Sequence, residues 1–419
     1  MNTLAPTVAV IGLGYIGLPT AAILARSGCQ VIGVDVSDRT VTAVNQGEVP
    51  FVEPDLGTHV AGAVAQGTLR ATKETPQADA FIVAVPTPFT EDRTADLSYI
   101  EAAARGIAPQ LRGDELIILE STSPPKATRH MAEVILGLRP DLSLDDSDGR
   151  PVIHVAHCPE RVLPGRVMIE LVTNDRIIGG VTCQAAERAQ ELYARFCQGE
   201  ILLTDDVTAE MAKLVENSFR DVNIAFANEL SVISDRLGID VWELIRLANH
   251  HPRVNILQPG PGVGGHCIAV DPWFIVDAAP EEAKLIRTAR EVNDAKPEWV
   301  LEKIEKALAD AEGGAEIAVL GLAFKANIDD LRESPALGIA KRLTQLGAIQ
   351  RINIVEPHIE QLPATLAGDD RTALVGLDEA VERSSVVVLL VDHAEFSKIS
   401  PDDLTDKALI DTRGALAHA

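Results

Sequence analysis

The chain has 419 residues, 46% hydrophobic and 24% charged, a composition that supports a large buried core without disulfide or metal staples. At roughly 100–200 residues per domain, the length predicts two to four units. With 62 acidic against 37 basic residues the net charge is −25, which repels nucleic acid and anionic membranes and sets both aside as partners.

The N-terminus, MNTLAPTVAVIGLG, has no basic n-region and no cleavable apolar segment, so no signal peptide is read. From Thr7 to Asp35 the chain reads strand, tight turn, helix, strand. VAVIG is a short apolar run of the kind buried on both faces of a sheet. GLPTAAILARSG is a helix stopped by Gly28, and QVIGVD is the second strand. ADAFIVAVPTP, ELIILESTSPP and VIHVAHCPERVLPG each run from a strand into a polar, Pro-containing loop. This alternation predicts a parallel sheet with helices on both faces.

Near Asp205 the period changes. Val207 to about Asn249 carries apolar residues at three and four spacing, with a break at Gly238. A long helix here suits a dimer surface or a buried core helix equally well. After Gly313 the first plan restarts: EIAVLGLAFK, SPALGIAKRLTQLGA, RINIVEP and SSVVVLLVDH. The reading is therefore an α/β chain of two Rossmann-like, doubly wound domains, 1–204 and 301–419, joined by a central helical segment, 205–300. Its longest apolar stretches, such as Val386 to Val391, are too short to span a bilayer.

Gly12-Leu13-Gly14-Tyr15-Ile16-Gly17 follows a strand and opens a helix, and Asp35 ends the next strand. That is the dinucleotide fingerprint in its required context. Gly12 permits the turn, Gly14 lets a pyrophosphate meet the helix N-terminus, and Asp35 accepts from ribose hydroxyls while repelling a 2′-phosphate. The predicted cofactor is NAD. In the last unit the glycines shrink to Gly321-x-Ala323, so that turn is expected to bind something else; Lys325 and Arg332 flank it as candidate diphosphate holders.

Five cysteines, Cys29, Cys158, Cys183, Cys197 and Cys267, show no Cys-x-x-Cys pair and are read as reduced thiols of a cytoplasmic protein. Cys29, Cys183 and Cys197 are placed inside secondary-structure elements. Cys267 ends the glycine-dense loop GPGVGGHC, where substrate can approach a thiol closely. A helix opening at Cys267 would set Asp271 one turn on and lower the thiol pKa. Lys213 and Asn217, one helical turn apart, would present an ammonium and an amide to one spot and stabilise an oxyanion; a solvated helix face is the alternative. Glu160 lies in the loop HCPER at a strand's C-terminal end, either as a base positioning water or as a surface residue. His250 and His251 diverge on a helix without a spaced carboxylate pair, which argues for phosphate or sugar contacts and no metal.

Long strings of the chain resemble the nucleotide-sugar 6-dehydrogenase family, which includes UDP-glucose and GDP-mannose dehydrogenases. They are VIGLGYIGLPTAA, VEPDL, VPTPF, ILESTSP, CPERVLPG, MAKLVENSFRDVNIAFANEL, HPRVNILQPGPGVGGHCIAVDPWF and GLAFKANIDDLRESPA; beyond about Ala336 only pieces such as VDH and DTRG remain. The resemblance implies an NAD domain, a helical dimerisation and catalytic segment, and a UDP-binding domain. It implies Cys267 as nucleophile, Lys213 in acid–base and oxyanion roles with Asn217 and Asp271 assisting, Glu160 supporting thioester hydrolysis, and Thr122 placing water. Tyr15, Ile16, Asp35, Thr87, Thr122 and Arg332 would contact NAD. Arg161, Val162, Lys213, Asn217, Arg220, His251, Arg253, Gly264, Phe324 and Lys325 would contact a UDP-sugar. Arg253 would reach the partner's site in a homodimer; Arg413, in the short DTRG piece, keeps an open role. The implied substrate is UDP-N-acetyl-D-mannosamine, oxidised at C6 for cell-surface polysaccharide, with UDP-glucose, UDP-GlcNAc or GDP-mannose as alternatives. A two-electron hydroxyacid dehydrogenase would need neither Cys267 nor a nucleotide domain, and a non-catalytic sensor would have lost Cys267 or Lys213.

Overall fold

Runs such as VAVI and AFIV have no polar alternation, so strands built from them must be covered on both faces. The computed structural model describes residues 5–90, 93–147, 149–163, 165–265, 268–310 and 315–416. The chain divides into two units, Met1–Glu216 with Asp277–Ala279, and Asn217–Val276 with Pro280–Ala419.

The first unit holds eight strands: β1 (Thr7–Ile11), β2 (Gln30–Val34), β3 (Leu69–Thr72), β4 (Ala80–Val83), β5 (Leu116–Leu119), β6 (His154–His157), β7 (Arg176–Gly180) and β8 (Ile201–Asp205). Their order is β3-β2-β1-β4-β5-β6-β7-β8. Val8 and Val10 enter one core cluster while Ala9 and Ile11 enter another, so β1 is sandwiched between two cores. One pairing departs from the expected parallel sheet: β7 runs antiparallel to β6, through Ala156–Gly180 and His157–Gly179. The chain leaving β6 folds only the short helix Val167–Thr173 before β7 begins. It does not cross back over the sheet, as a parallel partner would require.

Glu210, on the helix Asp206–Leu237, completes this unit. The helix Ala127–Leu138 starts after Lys126, which is left-handed (φ 76°) and offers no side-chain cap. The Glu210 carboxylate instead accepts from the Lys126 amide at 2.5 Å, the Thr128 amide at 2.7 Å and the Thr128 hydroxyl at 2.6 Å. Donors that the helix leaves unpaired are thereby satisfied from another element.

The second unit holds β9 (Ala315–Leu320), β10 (Ile349–Val355), β11 (Thr372–Leu374), β12 (Val386–Leu389) and β13 (Ala408–Asp411), all parallel, ordered β11-β10-β9-β12-β13. That is the order of β3-β2-β1-β4-β5, so the restart seen in the sequence is a repeat of topology. Most of the 32-residue helix Asp206–Leu237 belongs here, ending at Gly238 with φ 66°. Against it, Arg290 pairs with Asp221 at 2.6 Å, both fully buried, and Asn293 donates to the same Asp221 oxygen at 2.8 Å. The helix leaves Val215, Phe219, Phe226, Ile233 and Leu237 exposed, at steps of four and seven residues that lie along one stripe. Among the described residues, no helix is long and apolar enough to cross a membrane.

Candidate active site

β1 delivers Gly12 to the turn with φ 94°, a backbone conformation that favours glycine. A Cβ on Gly12 would stand 2.4 Å from the Ala84 carbonyl oxygen, and one on Gly17 would stand 1.9 Å from the Gly12 oxygen. A Cβ on Gly14 would meet nothing within 4 Å. Two glycines thus serve chain packing, and the third leaves open space over the N-terminus of the helix Gly17–Arg26, where amides and dipole favour an anion. Ile16 directly precedes that helix, and Tyr15 is exposed with its ring 4.3 Å from Phe51. Asp35 accepts from the Leu13 amide at 3.0 Å and from the Ser37 amide at 2.9 Å.

The register collects the other first-unit candidates. Ile11 pairs with Val83, Val83 with Leu119, and Leu119 with His157. Gly12, Thr87, Thr122 and Glu160 follow these strand ends by one to four residues. All stand at the C-terminal edge, and β1 and β4 flank the point where the strand order reverses, the place where open α/β sheets bind ligands. Thr87 Oγ1 is buried with no hydrogen-bond partner among the described residues, as expected of a group awaiting a ligand. The chain present therefore fits a bound dinucleotide.

Glu160 is buried; its Oε1 accepts from the Arg161 amide at 2.6 Å, and its Oε2 lies 3.7 Å from Arg176 Nη2. Arg161 reaches Glu216 at 2.6 Å and the Asp175 carbonyl at 3.1 Å, while Val162 packs on the core. Sequence reading did not single out Glu120, Arg176 or Tyr193, which gather under Glu160. The only signal was a charge set against apolar strand runs, in ILE and DRII. Burial pushes the Glu120 carboxyl up to about 7, the Cys158 thiol up to about 12 and the His157 ring down to about 3. Cys158 is thus inert as a nucleophile.

Lys213 is half-buried, with no hydrogen bond or ion pair from its ammonium among the described residues. In the second unit, Asn217 Nδ2 donates to Asp271 Oδ2 at 2.5 Å, both residues buried. Asp271 is the first residue of the helix Asp271–Ala278, while Cys267, where a helix opening was expected, lies outside the described residues. Among the glycines before it, Gly264 is set by packing within the chain. A Cβ on Gly264 would stand 2.5 Å from the Glu333 oxygen and 3.0 Å from Phe324 Cβ. The loop needs glycine because it packs on its own chain.

Arg220, His251, Arg253 and Lys325 are exposed, and Arg332 forks onto Asp330 at 2.9 and 2.6 Å. Arg413 bonds Asp392 at 2.8 Å and the Pro259 carbonyl at 3.4 Å, tying the end of β13 to the loop before Gly260. The shrunken turn after β9 is filled from within. Glu356 Oε2 accepts from the Leu322 amide at 2.7 Å and the Ala323 amide at 3.1 Å, and Oε1 from the His358 amide at 3.2 Å. Burial opposes its charge, but the His393 ring and these amides hold the carboxyl below its ordinary value. His358, His393 and Glu395 lie close enough to share an ion. His393 is already committed, since Nδ1 accepts from the Asn327 amide at 3.0 Å and Nε2 then carries the proton shared with Glu356 at 3.1 Å.

The cysteine placements need correcting. Cys29 is buried in the turn before β2, Cys183 is exposed at the first position of its helix, and Cys197 lies beyond that helix's end.

Three models of one family, UDP-glucose/GDP-mannose dehydrogenase, match in succession: the NAD binding domain over residues 6–197, the central domain over 207–295 and the UDP binding domain over 318–418. An NDP-N-acetyl-D-galactosaminuronic acid dehydrogenase of Ralstonia nicotianae is 58% identical, covering 97% of this chain and 96% of that protein. A UDP-N-acetyl-D-mannosamine dehydrogenase of Escherichia coli (strain K12) is 55% identical, covering 97% and 98%. The solved UDP-D-ManNAc dehydrogenase of Pyrococcus horikoshii superposes with TM-score 0.86 at 38% identity, covering 98% and 96%.

Proposed function

Because the chain belongs to the UDP-glucose/GDP-mannose dehydrogenase family, we propose that it oxidises C6 of UDP-N-acetyl-D-mannosamine to a carboxylate in two NAD-dependent steps. The observation that carries this reading is the gathering of Gly12, Thr87, Thr122 and Glu160 at the C-terminal ends of neighbouring strands. Bound NAD supplies the hydride acceptor, one molecule for each oxidation.

The chain's residues supply position, charge and protons. Lys213 and Asn217 steady the C6 oxygen as its proton leaves and the aldehyde forms. The Cys267 thiolate adds to the aldehyde carbon, and the thiohemiacetal oxygen again needs that stabilisation. Loss of the second hydride leaves a thioester on Cys267. Water, oriented by Thr122 and deprotonated by Glu160, attacks the acyl carbon; the C–S bond breaks and the carboxylate leaves. Asp271, bonded to Asn217 at 2.5 Å, fixes the amide's orientation. Arg161, Val162, Arg220, His251, Gly264, Phe324, Lys325 and Arg332 remain the candidates for holding the nucleotide-sugar and cofactor.

The stripe Phe219, Phe226, Ile233 and Leu237 supports a homodimer built on the long helix, with the exposed Arg253 reaching the partner's site. The Ralstonia relative makes the galacto-configured 2-acetamido sugar the second substrate to test. The deciding experiment counts NADH per limiting UDP-N-acetyl-D-mannosamine in wild type and Cys267→Ser. Two NADH, with no steady turnover in the variant, support the reading. One NADH with an unimpaired variant refutes the double oxidation, and none moves the substrate to the galacto sugar.

A further inference from the structure

Strands β5, β6 and β7 bring one guanidinium and two carboxylates together in a buried space. Glu120 follows β5 and is fully buried, Glu160 follows β6, and Arg176 opens β7 at 4% exposure. Arg176 Nη1 lies 3.9 Å from Glu120 Oε1, and its Nη2 lies 3.7 Å from Glu160 Oε2. The same two nitrogens also donate to Cys158 Sγ at 3.7 Å and the Leu171 carbonyl at 3.3 Å, the guanidinium lies 4.7 Å from the Tyr193 ring and 5.2 Å from the Phe196 ring, and Nε is buried with no hydrogen bond among the described residues. Tyr193 donates to Glu120 Oε1 at 2.9 Å. Each carboxylate has one bonded oxygen, and each Oε2 is buried with no hydrogen bond.

One cation cannot neutralise two buried carboxylates, so a proton must reside on one of them. Glu120 is the deeper, and burial raises its carboxyl to about 7. The charge of Arg176 is then left to Glu160. The groups facing Glu120 are Arg176, Tyr193, Cys158, Glu160 and the Thr20 hydroxyl.

We propose that Arg176 and Glu120 are positioning residues for thioester hydrolysis: Arg176 aims Glu160 at the attacking water, and protonated Glu120 leaves the guanidinium undivided. This rests on the hydrolytic assignment of Glu160 given above. Misplacing a base by a fraction of its contact distance slows the step it serves and leaves binding intact.

The test mixes enzyme with NAD and UDP-N-acetyl-D-mannosamine, follows the NADH burst, and traps acyl-Cys267 by acid quench and mass measurement. Arg176→Lys should keep a burst of two NADH per site, accumulate acyl-enzyme, and lose steady turnover on the order of 10–100-fold with KM falling alongside it, so that kcat/KM holds within about twofold. Glu120→Gln should abolish an inflection near pH 7 in the wild-type deacylation rate. Wild-type deacylation in Arg176→Lys, or equal losses of burst and turnover, overturns the proposal. If Arg176→Lys does not fold, Glu120→Gln decides, and a pH profile superimposable on wild type overturns it. Should wild type show no second NADH and Glu160→Gln no acyl-enzyme, the parent reading fails and takes this one with it. A wild-type burst with unaffected variants sinks only the positioning roles.

Discussion

Asp35 accepts a hydrogen bond from the Leu13 amide at 3.0 Å, so the acid that closes β2 is bonded into the glycine turn that follows β1. The carboxylate is held where a ribose would meet it. Asp35→Ala is expected to lower kcat/KM for NAD by roughly 10–100-fold, the value of one charge-assisted hydrogen bond. It should also lower the preference for NAD over NADP. Steady-state kinetics with both cofactors test this, and an unchanged preference would refute the assignment.

Gly14 and Gly17 should separate binding from folding. Alanine at Gly17 places its Cβ 1.9 Å from the Gly12 oxygen, whereas alanine at Gly14 meets no protein atom within 4 Å. Gly17→Ala should melt ~10 °C or more below wild type. Gly14→Ala should keep its Tm and lose NAD affinity. Calorimetry paired with NAD titration reads both, and a Gly14→Ala protein binding NAD normally would place the pyrophosphate elsewhere.

The buried pair Asp221–Arg290 is costly to halve. Asp221→Ala leaves the buried Arg290 guanidinium with only the half-exposed Asp294 as counter-charge and should destabilise by about 3 kcal/mol. Replacing both residues with apolar side chains should cost less. Urea titration of the two variants gives the comparison.

Phe219→Glu combined with Phe226→Glu puts charge into the exposed stripe of the long helix. Sedimentation should show monomers, and activity should fall with assembly because Arg253 no longer reaches a partner's site. A fully active monomer would refute that role for Arg253.

Two buried groups set opposite pH flanks of stability. Glu120 is raised by burial from 4.5 to about 7, so its contribution is present below 4.5 and lost as pH rises through about 7. His157 is lowered by burial from 6.5 to about 3, so its contribution is present above 6.5 and lost as pH falls through about 3. The stability of wild type relative to Glu120→Gln should therefore fall between pH 5 and pH 8, by at most about 1.4 kcal/mol per unit. A constant difference would show that Glu120 does not titrate there.

Both sheets were legible because their strands are short apolar runs ending in Gly, Pro or acid, and the order of the repeat followed from the restart after Gly313. The reversal at β7 was not, since RIIGG reads alike in either direction. Among site residues, Gly12, Gly14 and Asp35 announce themselves by spacing, whereas the bond of Asn217 to Asp271 at 2.5 Å joins residues that the sequence had paired with Lys213 and Cys267 instead. Glu120 and Arg176 were invisible because nothing local marks a charge that meets its partner through strand neighbours 56 positions apart. The reason for the Gly260–Gly265 glycines was also hidden, because Phe324 and Pro335 lie far along the chain.

Glu356 gives the second sheet a resident anion. Asp35 closes the turn after β1 through one amide, leaving the space at Gly14 open, whereas Glu356 also takes the Ala323 amide at the matching place; only the open turn gains stability as its ligand's concentration rises. Scarcity of the dinucleotide should therefore loosen the turn after β1 and leave the turn after β9 unmoved. Cofactor depletion becomes a signal that one copy of the repeat registers and the other ignores.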